Sequence, residues 1–146
     1  MKREYLTTSP LQTKKIGKNL AKSLLKRSSS KRTLVLGLVG DLGGGKTTFL
    51  QGFAKGLGIK KRILSPTFII IRRIKNFYHV DCYRIQKPKE LLSLGFEEII
   101  NKPSNIVAVE WADKVKSILP NHTVWFSFSF VDKNKRKIVL KLKDGR

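Results

Sequence analysis

The octet Gly40-Asp41-Leu42-Gly43-Gly44-Gly45-Lys46-Thr47 constrains this chain more than any other feature. It follows directly on Leu34 to Val39, an unbroken apolar run suited to a strand buried on both faces, and it precedes a predicted helix from Lys46 to about Gly56. Strand, glycine-rich turn and helix in that order match the phosphate-loop pattern, in the context that gives the pattern meaning. Glycines let the backbone turn so that successive N–H groups face inward, and the helix N-terminus adds partial positive charge. Lys46 is then placed to reach the terminal phosphates of a nucleotide and the Thr47 hydroxyl to ligate a bridging Mg²⁺, with Thr48 supporting the same turn.

Such a loop needs an acidic residue near the metal and a group that orients the attacking nucleophile, both at C-terminal ends of neighbouring strands. Glu110 ends the apolar run Ile106 to Val109, and Asp81 ends Phe77 to Val80. Spacing alone does not separate their roles, since either carboxylate can coordinate the ion. We assign Glu110 to the metal and Asp81 to the catalytic role. His79 shares a strand face with Asp81 and reads first as a hydrogen-bonded structural histidine. Cys82 alternates to the opposite face, so an inert thiol is expected. Trp111 either covers the nucleotide or fills the core. Thr67, in Ser65-Pro66-Thr67, either senses the terminal phosphate or is an ordinary loop threonine. Arg84 either steadies transferred charge or makes a structural ion pair.

Around these motifs, Pro10 to Arg32 holds eight basic residues and no acid. Ile16, Leu20 and Leu24, with Leu25 beside them, predict an amphipathic helix ending near Ser28-Ser29-Ser30, with Lys14, Lys18, Lys22 and Lys26 on another face. Thr67 to Ile74 and Phe77 to Tyr83 predict a hairpin around Lys75-Asn76. Lys89 to Ile100 predicts one helix that Gly95 weakens, and a short helix follows from Ala112. Thr123 to Val131 and Lys137 to Leu142 predict a C-terminal antiparallel hairpin. No repeat or linker interrupts the chain, so residues 1–146 read as a single domain.

The balance of 31 Lys and Arg against 10 Asp and Glu gives a net charge of +21, which favours polyanionic partners without choosing among them. One cysteine excludes an internal disulfide framework. The first ten residues are charged and polar where a secretory signal would be apolar, and no apolar run reaches membrane-spanning length, so a cytoplasmic protein without membrane contact is expected.

Four segments in order, GDLGGGKTTF, SPTF, HVDCYR and VEW, resemble the bacterial TsaE family, also called YjeE. The resemblance spans about Thr7 to Phe130. It implies an α/β fold in which a mixed β-sheet is flanked by helices, and an ATPase of tRNA threonylcarbamoyladenosine biosynthesis. That ATPase would bind a complex of TsaD and TsaB and use ATP and Mg²⁺ to support the complex's turnover, touching tRNA only through the assembled complex. Carried over by motif, Lys46 and Thr47 match the family's phosphate and magnesium residues, Thr67 its switch-like threonine, Asp81 its essential aspartate, and Glu110 with Trp111 its Glu-Trp pair. The chain departs from the family in a shorter Phe68 to Tyr78 stretch carrying Arg72, Arg73 and Lys75, and in its basic charge.

Two other classes share parts of this pattern. A small-molecule or nucleotide kinase shares the loop but needs a mobile lid, for which no segment is long enough. A basic nucleic-acid binding module is suggested by the charge, which gives salt-sensitive affinity without specificity. Asn101-Lys102-Pro103-Ser104 begins like a guanine-recognition motif but has Ser where a carboxylate would read the base, which disfavours GTP.

Overall fold

A computed structural model describes residues 2–27, 31–40, 45–61 and 70–142. Among these, seven strands form one sheet: β1 (Lys2–Thr7), β2 (Leu34–Gly40), β3 (Ile71–Ile74), β4 (Phe77–Asp81), β5 (Ile106–Glu110), β6 (Val124–Asp132) and β7 (Lys135–Lys141). Their order across the sheet is β1-β7-β6-β2-β5-β4-β3. β6, β2, β5 and β4 are parallel neighbours, while β1–β7, β6–β7 and β3–β4 pair antiparallel. The sheet is therefore mixed, with a parallel centre and antiparallel edges.

Period-2 alternation sorts the core into two layers. Leu34, Leu36 and Leu38 of β2, Ala108 of β5 and Phe126 and Phe128 of β6 pack with helices α1 (Pro10–Arg27) and α2 (Lys46–Gly56). Val35, Val107, Val109 and Val80 face the other way, onto α3 (Pro88–Leu92), α4 (Phe96–Ile100) and a 3-10 helix over Ala112–Ile118. β2 is buried on both sides, as its unbroken apolar run predicts.

α1 and α2 meet through small residues. A Cβ on Gly52 would lie 2.0 Å from the Lys14 carbonyl oxygen, and one on Gly17 would lie 2.3 Å from that of Phe49. The buried stripe of α1 is accordingly Thr13, Gly17, Leu20, Ala21 and Leu24, with Ile16 only partly buried and Leu25 40 % exposed. Lys18, Lys22 and Lys26 are exposed on another face of α1.

Two elements differ from expectation. The predicted helix over Lys89 to Ile100 is two short helices, because Gly95 adopts a left-handed φ of 85°, ending α3 and capping α4. β1 was not expected from its sequence. It is an edge strand whose Lys2, Arg3 and Glu4 are exposed, with an exposed Glu4–Lys137 ion pair at 2.8 Å lying diagonally across the β1–β7 ladder. No described helix is long and apolar enough to cross a membrane.

Candidate functional site

The site lies where the parallel strands end. β2 finishes at Gly40, whose φ of 131° and close backing by β6 exclude a side chain, since a Cβ would lie 2.0 Å from the Phe128 carbonyl oxygen. α2 starts at Lys46 behind Gly45, whose φ of 99° is again a glycine conformation, and Phe49 N–H closes the first turn on the Gly45 carbonyl at 2.8 Å. Both ends of the octet thus have the backbone of a tight strand-to-helix turn. Asp41, Leu42, Gly43 and Gly44 lie outside the described residues, as does Thr67.

Lys46 is only 6 % exposed. Its Nζ donates to the Gly40 carbonyl at 2.6 Å and sits 4.2 Å from the centre of the Trp111 ring. The ammonium is thereby tucked against the loop's own first residue. Thr47 and Thr48 follow in the first turn of α2, both partly buried.

Asp81 and Glu110 are direct partners in the parallel β4–β5 register, and Glu110 also partners Leu38 of β2. Facing residues in register point to the same side. Phe77 of β4 and Ile106 and Ala108 of β5 belong to the layer that packs on α2, so by alternation His79, Asp81 and Glu110 face that side as well. Both carboxylates are therefore on the α2 side of the sheet, at the end where the octet emerges. Tyr83 N–H donates to Asp81 Oδ1 at 3.0 Å, and Cys82 N–H donates to the Glu110 backbone carbonyl at 3.0 Å.

Burial holds the Asp81 carboxyl above the usual aspartate range, helped by the neighbouring Glu110 charge and opposed by the Tyr83 N–H, His79 and Lys46. His79 is 2 % exposed and Glu110 3 %, and His79 Nε2 lies 2.5 Å from Glu110 Oε2. His79 is thus hydrogen-bonded, as expected, and its partner is the second strand-end acid.

Trp111 follows Glu110 with a left-handed φ of 58°, uncommon for a non-glycine residue. That turn packs one part of the ring on the second core layer while presenting its face to Lys46. Tyr83 lies 5.2 Å from the Trp111 ring, and Lys114 Nζ donates to the Tyr83 carbonyl at 2.5 Å. Neither Tyr83 nor Lys114 was marked by the sequence, because the contact joins residues 31 apart through the 3-10 helix. Cys82 is buried on the opposite face, its thiol pushed up to about 12 by burial and by Asp81, in keeping with an inert role. Arg84 is exposed in the turn after β4.

Among the described residues no three His, Cys, Asp or Glu side chains converge to hold a metal by themselves. One hydroxyl on the first turn of α2 and one or two carboxylates on strand ends form a donor set that suits Mg²⁺. That ion keeps several waters and takes its remaining ligands from phosphate oxygens. Asn101 to Ser104 precede β5, at the opposite end from Glu110, so the five-residue strand holds them roughly 16 Å from the site at about 3.3 Å per residue. Their polar groups serve the turn instead: Thr33 Oγ1 donates to the Lys102 carbonyl and Asn76 Nδ2 to that of Ser104, each at 2.7 Å.

The sequence model of one family, described as "Threonylcarbamoyl adenosine biosynthesis protein TsaE", matches residues 7–138. The chain is 39 % identical over 131 residues to a tRNA threonylcarbamoyladenosine biosynthesis protein TsaE of Rickettsia prowazekii, covering 86 % of this chain and 88 % of that one. It is 36 % identical over 139 residues to the TsaE of Bacillus subtilis, covering 92 % and 82 %. Its structure resembles the crystal structure of Bacillus subtilis YdiB with a TM-score of 0.78 and 32 % identity, over 97 % of this chain and 86 % of that one.

Proposed function

Because the chain belongs to the TsaE family of threonylcarbamoyladenosine biosynthesis proteins, we propose that it is a Mg²⁺-dependent ATPase that supports repeated turnover of a TsaD–TsaB complex during tRNA modification. The whole chain acts as one phosphate-loop unit in the cytoplasm, and tRNA is met only through the assembled complex. The observation that carries this reading is the pairing of Asp81 with Glu110 in register, on the α2 side of the sheet, where Lys46 begins its helix.

In this mechanism, backbone amides of Asp41 to Gly45 and the α2 N-terminus bind the phosphates. Lys46 leaves the Gly40 carbonyl and the Trp111 face to pair with terminal phosphate oxygens, a contact in which donor and acceptor are both ionised. Thr47 and Glu110 would hold Mg²⁺, directly or through water, and the ion would supply positive charge beside the phosphoryl group. Asp81 orients the attacking water. Its raised proton affinity makes it a better acceptor than an exposed aspartate. Thr67 senses the terminal phosphate, and Trp111 covers the nucleotide.

The test is phosphate release from ATP and from GTP, with and without TsaD and TsaB. Hydrolysis specific to ATP and stimulated by the complex is expected. Equal rates with and without the complex, or transfer of phosphate to a small acceptor in place of water, would overturn the reading.

A further inference from the structure

Among the described residues, each strand-end acid receives a hydrogen bond that orients it. Asp81 Oδ1 receives the backbone N–H of Tyr83 at 3.0 Å, while Glu110 Oε2 receives a side chain, His79 Nε2, at 2.5 Å. His79 lies one pleat behind Asp81 on β4, opposite Ala108 of β5, so its ring reaches Glu110 one pleat further along the neighbouring strand. Both residues of this pair are almost wholly buried.

Resting on the assignment of Glu110 to the metal, we propose that His79 is a positioning residue. It fixes the Glu110 carboxylate through a hydrogen on Nε2 and leaves Oε1 as the oxygen available to Mg²⁺ or its waters. In a neutral ring the tautomer follows from the surroundings, and a charged ring donates from Nε2 as well. His79 Nδ1 is buried and has no hydrogen-bond partner among the described residues. A hydrogen on Nδ1 would strand a buried N–H and set the Nε2 lone pair against a carboxylate oxygen. A hydrogen on Nε2 instead meets an acceptor and leaves only a lone pair unmatched. The glutamate, free to rotate about three side-chain torsions, is then held at its backbone by Cys82 N–H and at its carboxylate by His79. Groups that orient a metal-facing carboxylate in this way are worth 10–100-fold in metal affinity or activity.

Two readouts test this. The chain has two histidines, so ¹⁵N imidazole spectra of the free protein resolve both, and the His79→Gln spectrum assigns them. For His79 we expect a hydrogen on Nε2, with its signals moving in Glu110→Gln while those of His122 stay. A bare Nε2 with the hydrogen on Nδ1, or His79 signals indifferent to Glu110→Gln, would overturn the proposal even if His79→Ala failed to fold.

The second readout is the gain in nucleotide affinity on adding Mg²⁺, measured by calorimetry beside kcat. His79→Ala should lower both by roughly 10–100-fold and leave metal-free nucleotide affinity unchanged. His79→Gln, which keeps an N–H near the same oxygen, should recover most of the loss. In Glu110→Gln, His79→Ala should add no further loss of metal-dependent affinity. A wild-type kcat and Mg²⁺ response in His79→Ala, or equal losses in both backgrounds, would refute the positioning role. A wild-type protein that does not hydrolyse ATP would instead sink the ATPase reading, leaving the spectra to judge the His79–Glu110 contact.

Discussion

Replacing Gly52 by alanine sets helix propensity against helix packing. In an isolated helix the change is favourable by about 1 kcal/mol. Here the new Cβ would lie 2.0 Å from the Lys14 carbonyl oxygen, 2.6 Å from its carbon and 2.7 Å from Lys14 Cα, against ordinary contact at 3.4 Å or more. All three atoms are backbone, so no rotamer change relieves the clash and α1 must move away from α2. Overpacking of this kind costs about 1–3 kcal/mol and occasionally more. With backbone on one side of the contact and a shortfall of more than 1 Å, we place the cost at or above the upper end, for a net loss of about 2 kcal/mol or more. At about 2–4 °C per kcal/mol for a chain near this size, the thermal midpoint followed by circular dichroism should fall by roughly 4–8 °C. Lys46 begins α2 six positions ahead of Gly52, so nucleotide affinity should weaken as well. Gly95→Ala is the control: its Cβ would meet nothing within 4 Å, leaving only the left-handed strain of about 1–2 kcal/mol and unchanged nucleotide binding. A midpoint for Gly52→Ala at or above wild type would show that the helices can part freely and would refute the reasoning.

Other outcomes follow from the same geometry. Lys46→Met should weaken nucleotide binding roughly 10–100-fold, the worth of a charge-assisted hydrogen bond at about 1.5–3 kcal/mol, as read by calorimetry; undiminished affinity would remove Lys46 from the phosphate site. If the basic surface were instead an independent tRNA site, Lys46→Ala would still bind tRNA tightly without nucleotide, a result that salt-titrated binding would detect. Cys82 should resist a thiol reagent at pH 8 in the folded protein and react once denaturant exposes it, since its thiol is buried and pushed up to about 12. Rapid native labelling would contradict that placement.

How much of this was legible in the sequence depends on how locally each feature is determined. The octet, β2 and the start of α2 were readable because an apolar run, a glycine turn and a helix start each carry their own signal. The strand-end positions of Asp81 and Glu110 were readable because each terminates a run of strand-forming residues. Their register, and hence their being side by side, came only from the sheet order. β1 was hidden because an edge strand buries little: only Thr7 is buried and Tyr5 partly so. Spacing marks Leu20 and Leu24 of the α1 stripe but not Thr13, Gly17 and Ala21, small or polar residues on the face that packs closest, which hydrophobic spacing does not weight. Lys114 and Tyr83 meet through tertiary packing that no local pattern encodes.

Stability and chemistry pull in opposite directions at these strand ends, and Asp81 lets the conflict be measured. In the unfolded chain Asp81 releases its proton near the ordinary value of about 3.9; in the folded protein burial, then the Glu110 charge, raises that value. Below the unfolded value the carboxyl is protonated in both states and contributes no difference. As pH climbs between the two values the unfolded chain gives up its proton first, so folding is progressively disfavoured, and the full penalty persists above the folded value. Asp81→Asn keeps an oxygen for Tyr83 N–H but carries no charge. It should therefore have a higher thermal midpoint than wild type at pH 7, an advantage that shrinks as pH is lowered toward 3, while phosphate release is lost. A lower midpoint at pH 7 would mean that attraction to Lys46 and His79 outweighs burial, which would reverse the order of effects acting on Asp81. Retained hydrolysis in a more stable variant would show that the half-buried charge serves neither folding nor the reaction.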